Sequence, residues 1–465
     1  MTNIDQETSS SKNLIANLTG LEAFYTMFDM GHILHRVGAD KKKGVSAKRV
    51  LFALLSVVFM RISLSEAVSK AQDMFGFGKD VVYRFLNNAK ANWENLLFYV
   101  SMLVVQFMLT LTDGNRIEAL VIDDTCYYRD RSKKVELLSR CYDHSKDQYY
   151  NGFNMLTVGW TDGVSFIPLL GKLLCASTKR NLLYENGKPV DHRTLATRRR
   201  EEAALSKPRF VLNMLEKLNG YARIASHVLF DSWFSSTDLI MSIKELGYEV
   251  VCRMKNTPKQ TLQFKGEKKT LKQIYKICKK RPGRSKFLLS VPVTLVHDGH
   301  ENPIEAKCVY VRNRNKINDW IAILSTDTSL SEEEIIQLYG KRWAIETFFK
   351  TCKSYLRLTS DYQGRSYDDI TAHSTIVILR YIFLVFEQRR GEDQKTLGQL
   401  FMATSDELPD ISFATALKYC MNELIAVVCE FFEIAEQLID SLVREFINRI
   451  PLRYRQMLEF QGCET

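Results

Sequence analysis

ALVIDDT, residues 119–125, is an apolar run that ends in two aspartates, and it marks a change in the pattern of the chain. Residues 1–112 show helical periodicity and few strand signals. After them come short apolar runs rich in β-branched residues, with helical stretches between them. These runs predict strands at 119–124, 153–160, 165–170, 227–231 and 249–253. Strands that alternate with helices predict an α/β fold rather than an all-β fold.

Further regions follow on both sides of this core. Between residue 256 and about 326 the chain is lysine-rich and then β-like, which predicts a β-rich insertion, and from Ser331 the helical period returns. The predicted organisation is a helical N-terminal region (1–112), a first core part (113–255), the insertion (256–326), a second core part (327–375) and a helical C-terminal region (376–465). The apolar, amphipathic stretch Phe431–Arg449 makes the last region a candidate for dimerisation.

Composition excludes some classes of protein. Hydrophobic residues make up 46% and charged residues 25% of the 465 residues, as in ordinary globular proteins. The net charge of +10 favours a polyanionic partner such as nucleic acid. Ten cysteines without a CxxC pair indicate a reducing compartment. The polar N-terminus and apolar runs too short for a membrane span predict a cytoplasmic protein.

The N-terminal region has two interpretations. The pattern predicts helices at 47–62, 65–75 and 79–89, near the basic tract Lys41–Arg49. Three short helices beside basic residues could form a helix-turn-helix-like DNA reader. A plain helical bundle with a solvated charged surface fits equally well.

The strongest local signal is the segment that begins at Ser331. Ser331 and Glu334 form a capping-box pattern, and an apolar stripe follows. In one continuous helix a single face would carry four further residues, which are Tyr339, Arg342, Glu346 and Lys353. Beside a phosphodiester, that face would offer a carboxylate to a metal and cations to phosphate oxygens. A solvated helix face with an Arg–Glu pair is the alternative.

Carboxylates also stand at predicted strand ends. Asp123 and Asp124 end one apolar strand, and Asp231 ends another. Two-metal phosphoryl chemistry needs carboxylates on rigid elements to hold two divalent ions about 3.5–4 Å apart. Oxygen ligands suit Mg²⁺ or Mn²⁺ better than Zn²⁺. Strand-end aspartates can also simply form turns.

The spacing Tyr339-x2-Arg342-x3-Glu346-x6-Lys353 resembles the Y-(2)-R-(3)-E-(6)-K signature of the IS-four type insertion-sequence transposases, the Tn-five-like group. LVIDDT and VLFDSWFSS precede it in the same order as the family's acidic motifs. The resemblance covers residues 117–353. It implies an α/β fold with an RNase-H-like catalytic core interrupted by the β-rich insertion and flanked by helical N- and C-terminal regions.

The resemblance also implies site residues. Asp124, Asp231 and Glu346 correspond to the catalytic triad that holds two Mg²⁺ ions, for which Mn²⁺ can substitute. Asp124 is preferred because the family's aspartate precedes a hydroxyl residue, but Asp123 remains a rival, since strand alternation points only one of the pair at the metal. Tyr339, Arg342 and Lys353 resemble the phosphate-contacting trio.

Three further residues match the family less closely. Arg253 and Lys255 resemble a basic pair that contacts DNA. Trp320 stands where the insertion of a Tn-five-like enzyme supplies a tryptophan that stacks on a flipped base. A tryptophan in a β-strand is more often part of a core.

The implied function is cut-and-paste transposition of the protein's own insertion sequence. The partners would be double-stranded DNA, at the terminal inverted repeats and the target, and a second copy of the chain. No phosphate-binding loop indicates ATP dependence. The alternatives are a domesticated endonuclease, a repressor without catalysis and a general ribonuclease of the RNase H type.

Other candidates are weaker. His32 and His35, like His297 and His300, have metal-like spacing without a third ligand nearby in the sequence, so surface or core histidines are favoured. The run Arg198–Arg200 could contact phosphate or begin a solvated helix.

Overall fold

A computed structural model describes residues 20–390, except for residues 42, 112–115, 186–190, 192, 283–284, 314–315, 317–318, 361 and 363; it also describes residues 397, 445 and 449. Most of the region predicted at 376–465, including Phe431–Arg449 as a dimerisation segment, therefore lies outside the described residues.

The chain from residue 20 to residue 110 is helical. Side chains of Asp29, Ser46, Ser63 and Asn92 accept hydrogen bonds from the first turns of four of the helices, which satisfies backbone donors that would otherwise lack partners. The helices are α1 (Gly20–Met27), α2 (Met30–Arg36), α3 (Ala47–Ser56), α4 (Leu64–Ser69), α5 (Ala71–Phe75), α6 (Lys79–Leu86) and α7 (Trp93–Thr110).

Three predicted helices in this region have different bounds in the structure. The helix expected at 47–62 ends at Ser56. The helix expected at 65–75 is divided into α4 and α5 at Lys70, whose backbone has φ −105° and ψ 13°. The helix expected at 79–89 ends at Leu86.

A mixed sheet forms the core. Strand β1 (Ala119–Tyr128) pairs antiparallel with β3 (Gln148–Thr161), and β3 pairs antiparallel with β4 (Phe166–Leu174). On its other side, β1 pairs in parallel with β6 (His227–Phe230), which pairs in parallel with β7 (Glu249–Arg253). The order β4-β3-β1-β6-β7, with three antiparallel strands followed by two parallel ones, is consistent with the predicted RNase-H-like core.

The remaining elements of this half lie around the five strands. Strands β2 (Leu138–Asp143) and β5 (Leu182–Tyr184) extend the sheet beyond β3. Helices α8 (Leu195–Ala203) and α9 (Lys207–Asn219) connect β5 to β6, and α10 (Thr237–Glu245) connects β6 to β7.

The β-rich segment after β7 continues the same sheet. Its last strand, β12 (Trp320–Ser325), pairs antiparallel with β7. The order then runs from β12 through β11 and β10 to β8 and β9. The bounds are β8 (Thr261–Phe264), β9 (Glu267–Thr270), α11 (Leu271–Ile277), β10 (Leu289–Leu295) and β11 (Ile304–Arg312).

Three helices follow the sheet: α12 (Glu332–Gly340), α13 (Trp343–Ser354) and α14 (Tyr367–Arg390). Helix α14 packs on α7 and β4 and is buried from Tyr367 to Phe386. It crosses the domain boundary expected between residues 375 and 376. Helices α7 and α14 are long and apolar enough to span a membrane, but 94% of the relevant window of α14 is buried in the protein, so its apolar composition has a structural explanation.

Candidate active site

Two aspartates meet on neighbouring parallel strands. Asp123 lies in the middle of β1, which continues to Tyr128 instead of ending at the aspartates as expected, and Asp231 directly follows β6. The last pair in the register of β1 and β6 joins Ile122 to Phe230, so Asp123 and Asp231 follow at the same level. The negative charge of Asp231 is close enough to raise the pKa of Asp123. Parallel strands therefore bring together two carboxylates that are more than 100 residues apart in the sequence.

Strand alternation separates Asp123 from Asp124. The Asp123 carboxylate accepts a hydrogen bond from Arg342, which precedes α13, at 3.1 Å. The Asp124 carboxylate instead accepts one from Lys207, the first residue of α9, at 2.7 Å. Successive side chains on a strand point to opposite faces, so α13 and α9 lie on different sides of β1. The structure thus brings Asp123, rather than the preferred Asp124, to the face that carries the glutamate.

The prediction of a single helix from Ser331 onward is wrong. Its capping box is present, but the helix is divided at Lys341 and Arg342. Backbone N–H groups of residues 341, 342, 344 and 345 donate to carbonyls three residues back, so the junction winds more tightly than an α-helix. Gly340, a poor helix former, ends α12. Tyr339 therefore lies on α12, whereas Glu346 and Lys353 lie on α13.

Arg342 joins two of the candidate carboxylates. One guanidinium nitrogen donates to Asp123, and the other donates to Glu346 at 2.6 Å. The Arg342 side chain is only 10% exposed. Its guanidinium lies 5.8 Å from the ring centroid of Tyr339 and 5.5 Å from that of Trp343. The Arg342 end of the Arg–Glu pair is thus buried against β1, whereas the Glu346 side chain is 39% exposed.

The second cation of the signature lies further along α13. The Lys353 ammonium donates to the hydroxyl of Thr125 at 2.6 Å, on the same face of β1 as Asp123. Burial lowers the pKa of Lys353. The structure therefore brings Arg342, Glu346 and Lys353 to one side of β1, with the half-buried Tyr339 beside Arg342.

Opposing effects act on the ionisation of Asp123. Burial and then the charge of Asp231 raise the pKa of Asp123, whereas Arg342 lowers it. The first two effects prevail, and the pKa rises to about 7. Burial is the largest cause of this shift, so the site disfavours the anionic form of Asp123.

Asp231 also shapes the turn that follows it. Its carboxylate accepts a hydrogen bond from the backbone N–H of Trp233 at 2.8 Å. This contact is the turn-forming role that was the alternative to metal binding. The Trp233 ring is 41% exposed, and the Lys207 ammonium lies 4.2 Å from its centroid. Sequence reasoning missed Trp233, Lys207 and the exposed Trp343. Trp233 could have been found from its place two residues after Asp231, but Lys207 carried no such signal.

The two basic residues after β7 are exposed. Arg253 ends β7, and Lys255 follows it. Lys255 lines a cavity of about 490 Å³ together with Trp233, Lys259 and Lys268. This cavity lies beside the turn that begins at Asp231.

Trp320 lies at the start of β12 among other aromatic residues. Its ring stacks on Tyr275 with centroids 5.0 Å apart, and it also contacts Tyr310 edge-on. Trp320 is half-buried in this aromatic cluster of the β-rich segment. The Trp320 ring thus packs against the segment's own aromatic residues, and its base-stacking role stays a prediction.

The arginine run is divided between two environments, since Arg198 is 74% exposed on α8 and pairs with Glu202, whereas the next two arginines are buried. Arg199 and Arg200 form ion pairs with Asp368 of α14, and Arg200 also pairs with Glu136. Both arginine side chains are at most 15% exposed. Arg199 and Arg200 therefore hold elements together.

The carboxylates suit a hard divalent cation. Asp123, Asp231 and Glu346 offer only oxygen atoms, which Mg²⁺ and Mn²⁺ prefer. The raised pKa of Asp123 shows that burial and its neighbours disfavour the anionic form, which a cation would stabilise. The residues present therefore fit divalent metal ions.

Residues 40–296, more than half of the chain, match a family model described as DDE superfamily endonuclease. The chain belongs to the DDE superfamily of endonucleases. Membership in this superfamily supports a metal-dependent nuclease that acts on DNA. The matched residues contain Asp123, Asp124 and Asp231 and end before Glu346. No curated protein shows significant similarity to the chain.

Proposed function

We propose that this DDE superfamily endonuclease is a cut-and-paste transposase of the IS-four type. It binds the terminal inverted repeats of its own insertion sequence, hydrolyses the DNA ends and joins the 3′ ends to target DNA. The observation that carries the proposal is the buried guanidinium of Arg342, which bridges Asp123 and Glu346 beside Asp231. The spacing from Tyr339 to Lys353 supports the choice of family.

The catalytic triad we propose is Asp123, Asp231 and Glu346, with Asp123 in place of Asp124. Asp123 is level with Asp231 and shares Arg342 with Glu346. Asp124 is held by Lys207 on the other face of β1. A metal ligand must point towards the other ligands, and geometry therefore outweighs the preference for an aspartate directly before a hydroxyl residue.

The triad would hold two Mg²⁺ ions, with Mn²⁺ as a substitute, and bound there they would activate water and stabilise the leaving oxygen. Arg342 contacts two of these carboxylates, and Lys353 lies on the same side of β1. Both would neutralise negative charge on the phosphate. Tyr339 positions the guanidinium of Arg342 from α12. Because Arg342 is nearly buried, its charge acts with little screening by water.

DNA would reach the site across exposed basic and aromatic side chains. Arg253 and Lys255 would contact the phosphate backbone. Trp233, close to the second aspartate, and Trp343, the first residue of α13, are exposed, so they join Trp320 as candidates for stacking on bases.

The organisation we propose retains the predicted regions. Residues 1–112 would bind DNA, residues 256–326 would be an insertion that prolongs the core sheet, and the C-terminal region would support a homodimer in the complex that pairs the two DNA ends. The enzyme would work in the cytoplasm without ATP.

The test compares two neighbouring aspartates. Purified Asp123→Asn, Asp124→Asn and Glu346→Ala proteins and the wild type are incubated with linear DNA that contains the gene and its flanking sequence, with and without Mg²⁺. We expect Mg²⁺-dependent nicking at the element's ends and strand transfer in the wild type. Cleavage should fall at least about 100-fold in Asp123→Asn and Glu346→Ala, and much less in Asp124→Asn.

Other outcomes would assign other functions. Full cleavage by Glu346→Ala would refute the triad, and loss of cleavage in Asp124→Asn alone would restore Asp124. End cleavage without strand transfer would indicate a dedicated endonuclease, as the family description allows. Specific binding without cleavage by the wild type would indicate a repressor.

A further inference from the structure

We propose that Asp238, His297 and His300 form a second metal site, for Zn²⁺, outside the proposed catalytic centre. The two histidines have the spacing that sequence analysis set aside because no third ligand was near. Asp238, 59 residues before His297, supplies that ligand in the folded chain. The site is independent of the proposed function, because it shares no ligand with the acidic triad.

The distances between ligand atoms fit a tetrahedral ion. The Asp238 carboxylate oxygen Oδ1 lies 3.0 Å from Nε2 of His300 and 3.7 Å from Nδ1 of His297. A tetrahedral Zn²⁺ with bonds of about 2.0–2.1 Å separates its ligands by roughly 3.3 Å. The ligand atoms all lie within 4.8 Å of one another, so small rotations of the side chains would complete the site.

Two separate parts of the fold supply these ligands. Asp238 lies in the first turn of α10, which follows the second aspartate of the proposed triad. His297 and His300 lie in the connection between β10 and β11, whose sequence is VHDGHENP. A metal ion here would fasten the β-rich segment to a helix of the core.

Glu245 orients His300 for this task. Its carboxylate lies 2.6 Å from Nδ1 of His300, and the imidazole's other nitrogen faces Asp238. Asp238 and Glu245 are seven residues apart on α10, so they share one helix face. A carboxylate on the outer nitrogen fixes the tautomer that presents Nε2 to a metal, as is usual for histidine ligands of zinc.

The ligand set favours Zn²⁺ over Mg²⁺. Two imidazole nitrogens and one carboxylate suit a borderline transition metal, whereas Mg²⁺ prefers oxygen ligands. Three protein ligands leave a fourth position for water. The His300 side chain is 6% exposed and the Asp238 side chain 60% exposed, so the ion would be reachable from solvent.

The site would act on DNA binding through its position. Asp238 and His297 line the cavity of about 490 Å³ that also contains Trp233 and Lys255. Fastening the β10–β11 connection to α10 would fix one wall of this cavity. Zn²⁺ would thereby set the shape of the surface beside Asp231 without taking part in hydrolysis.

A second histidine pair provides a matched control. His32 and His35 have the same spacing and are exposed on α2. The nearby carboxylate, Asp40, lies 3.7 Å from His35. Among the described residues, Asp238, His297 and His300 lie close enough together to share a metal ion, and His32 and His35 do not belong to such a group of three.

The experiment is a calorimetric titration of the full-length protein with Zn²⁺. Excess Mg²⁺ is present to saturate sites that have only oxygen ligands. Parallel titrations with Co²⁺ are followed by visible absorption. We expect one Zn²⁺ per chain in the wild type and a tetrahedral Co²⁺ spectrum without thiolate bands. Affinity should fall at least about 100-fold in His297→Ala/His300→Ala and about 10-fold in Glu245→Gln, and should not change in His32→Ala/His35→Ala.

Thermal unfolding supplies a second measurement. An ion that binds the native state raises the midpoint, so Zn²⁺ should stabilise the wild type and the control but not the site variant. If His297→Ala/His300→Ala fails to fold by circular dichroism, Asp238→Asn takes its place. Equal Zn²⁺ affinity in the wild type and a folded site variant, or no Zn²⁺ binding by the wild type, would overturn the proposal.

Discussion

At the scale of single residues, Asp123 shows what the candidate active site costs the fold. Its carboxylate is buried beside Asp231, and one guanidinium offsets only part of the resulting penalty. Its pKa of about 7 means that a proton competes with any cation at neutral pH. Functional sites commonly retain such destabilising charges, because activity needs them.

This raised pKa predicts a pH dependence of stability. Without metal, native Asp123 holds its proton up to about pH 7, whereas the unfolded chain releases it near pH 4. The native state binds more protons in this window, so the free energy of unfolding falls as pH rises through it. Asp123→Asn should therefore match the wild type near pH 4 and exceed its stability by about 1–4 kcal/mol at pH 8. Urea unfolding at both pH values measures the difference.

Mg²⁺ provides the control for this prediction. It should stabilise the wild type at pH 8 and have much less effect on Asp123→Asn, because it binds the ionised carboxylate. If Asp123→Asn is less stable than the wild type at pH 8 without metal, the attraction between Arg342 and the ionised Asp123 outweighs the penalty for burying that charge.

At the scale of elements, the sequence predicted where the strands lie better than it predicted which side chains share a face of the sheet. The strands that carry Asp123 and Asp231 were predicted from apolar runs. Alternation says that only one of Asp123 and Asp124 faces the glutamate, but the packing of α13 and α9 selects which one. The same holds for His297, whose partner Asp238 comes from a distant helix, and for Trp320, whose environment depends on Tyr275.

The α12–α13 junction shows a second limit of sequence patterns. Helical spacing from Ser331 to Lys353 fits one continuous helix, since the interruption involves few residues. The i to i−3 hydrogen bonds at Lys341 and Arg342 directly follow Gly340 and have no periodic signal in the sequence. They place Arg342 between Asp123 and Glu346.

Gly340 at the end of α12 predicts a stabilising substitution. A Cβ added there meets no heavy atom within 4 Å. Because Gly340 is helical and alanine loses less backbone entropy, Gly340→Ala should raise the free energy of unfolding by about 0.5–1 kcal/mol. Cleavage should be unchanged. Denaturant unfolding and the nicking assay check both statements.

A loss of cleavage in a stabilised Gly340→Ala protein would contradict this view of the junction. It would mean that the freedom of Gly340, rather than the fixed position of Arg342, is what the site requires.

At the scale of the whole molecule, a buried ionic network ties distant parts of the chain together. Arg200 of α8 donates to Glu136, before β2, and to Asp368 in the first turn of α14. Glu136 also accepts a hydrogen bond from the backbone N–H of Tyr367 at 2.8 Å. The network thus joins α8 and the segment before β2 to helix α14. The sequence showed Arg198–Arg200 only as a charge run, because its partners are remote.

Removing Glu136 should destabilise the molecule strongly. The Glu136 side chain is 4% exposed, and its partner Arg200 is also largely buried. Of the two carboxylates that pair with Arg200 in this network, Glu136→Ala leaves only Asp368. Breaking a buried pair on one side costs about 3–5 kcal/mol. The exposed pair of Glu66 and Lys70 provides the control, since Glu66→Ala should change stability by less than about 1 kcal/mol. Urea unfolding of both variants measures the contrast, and equal effects would show that the Glu136 network is no stronger than a surface ion pair.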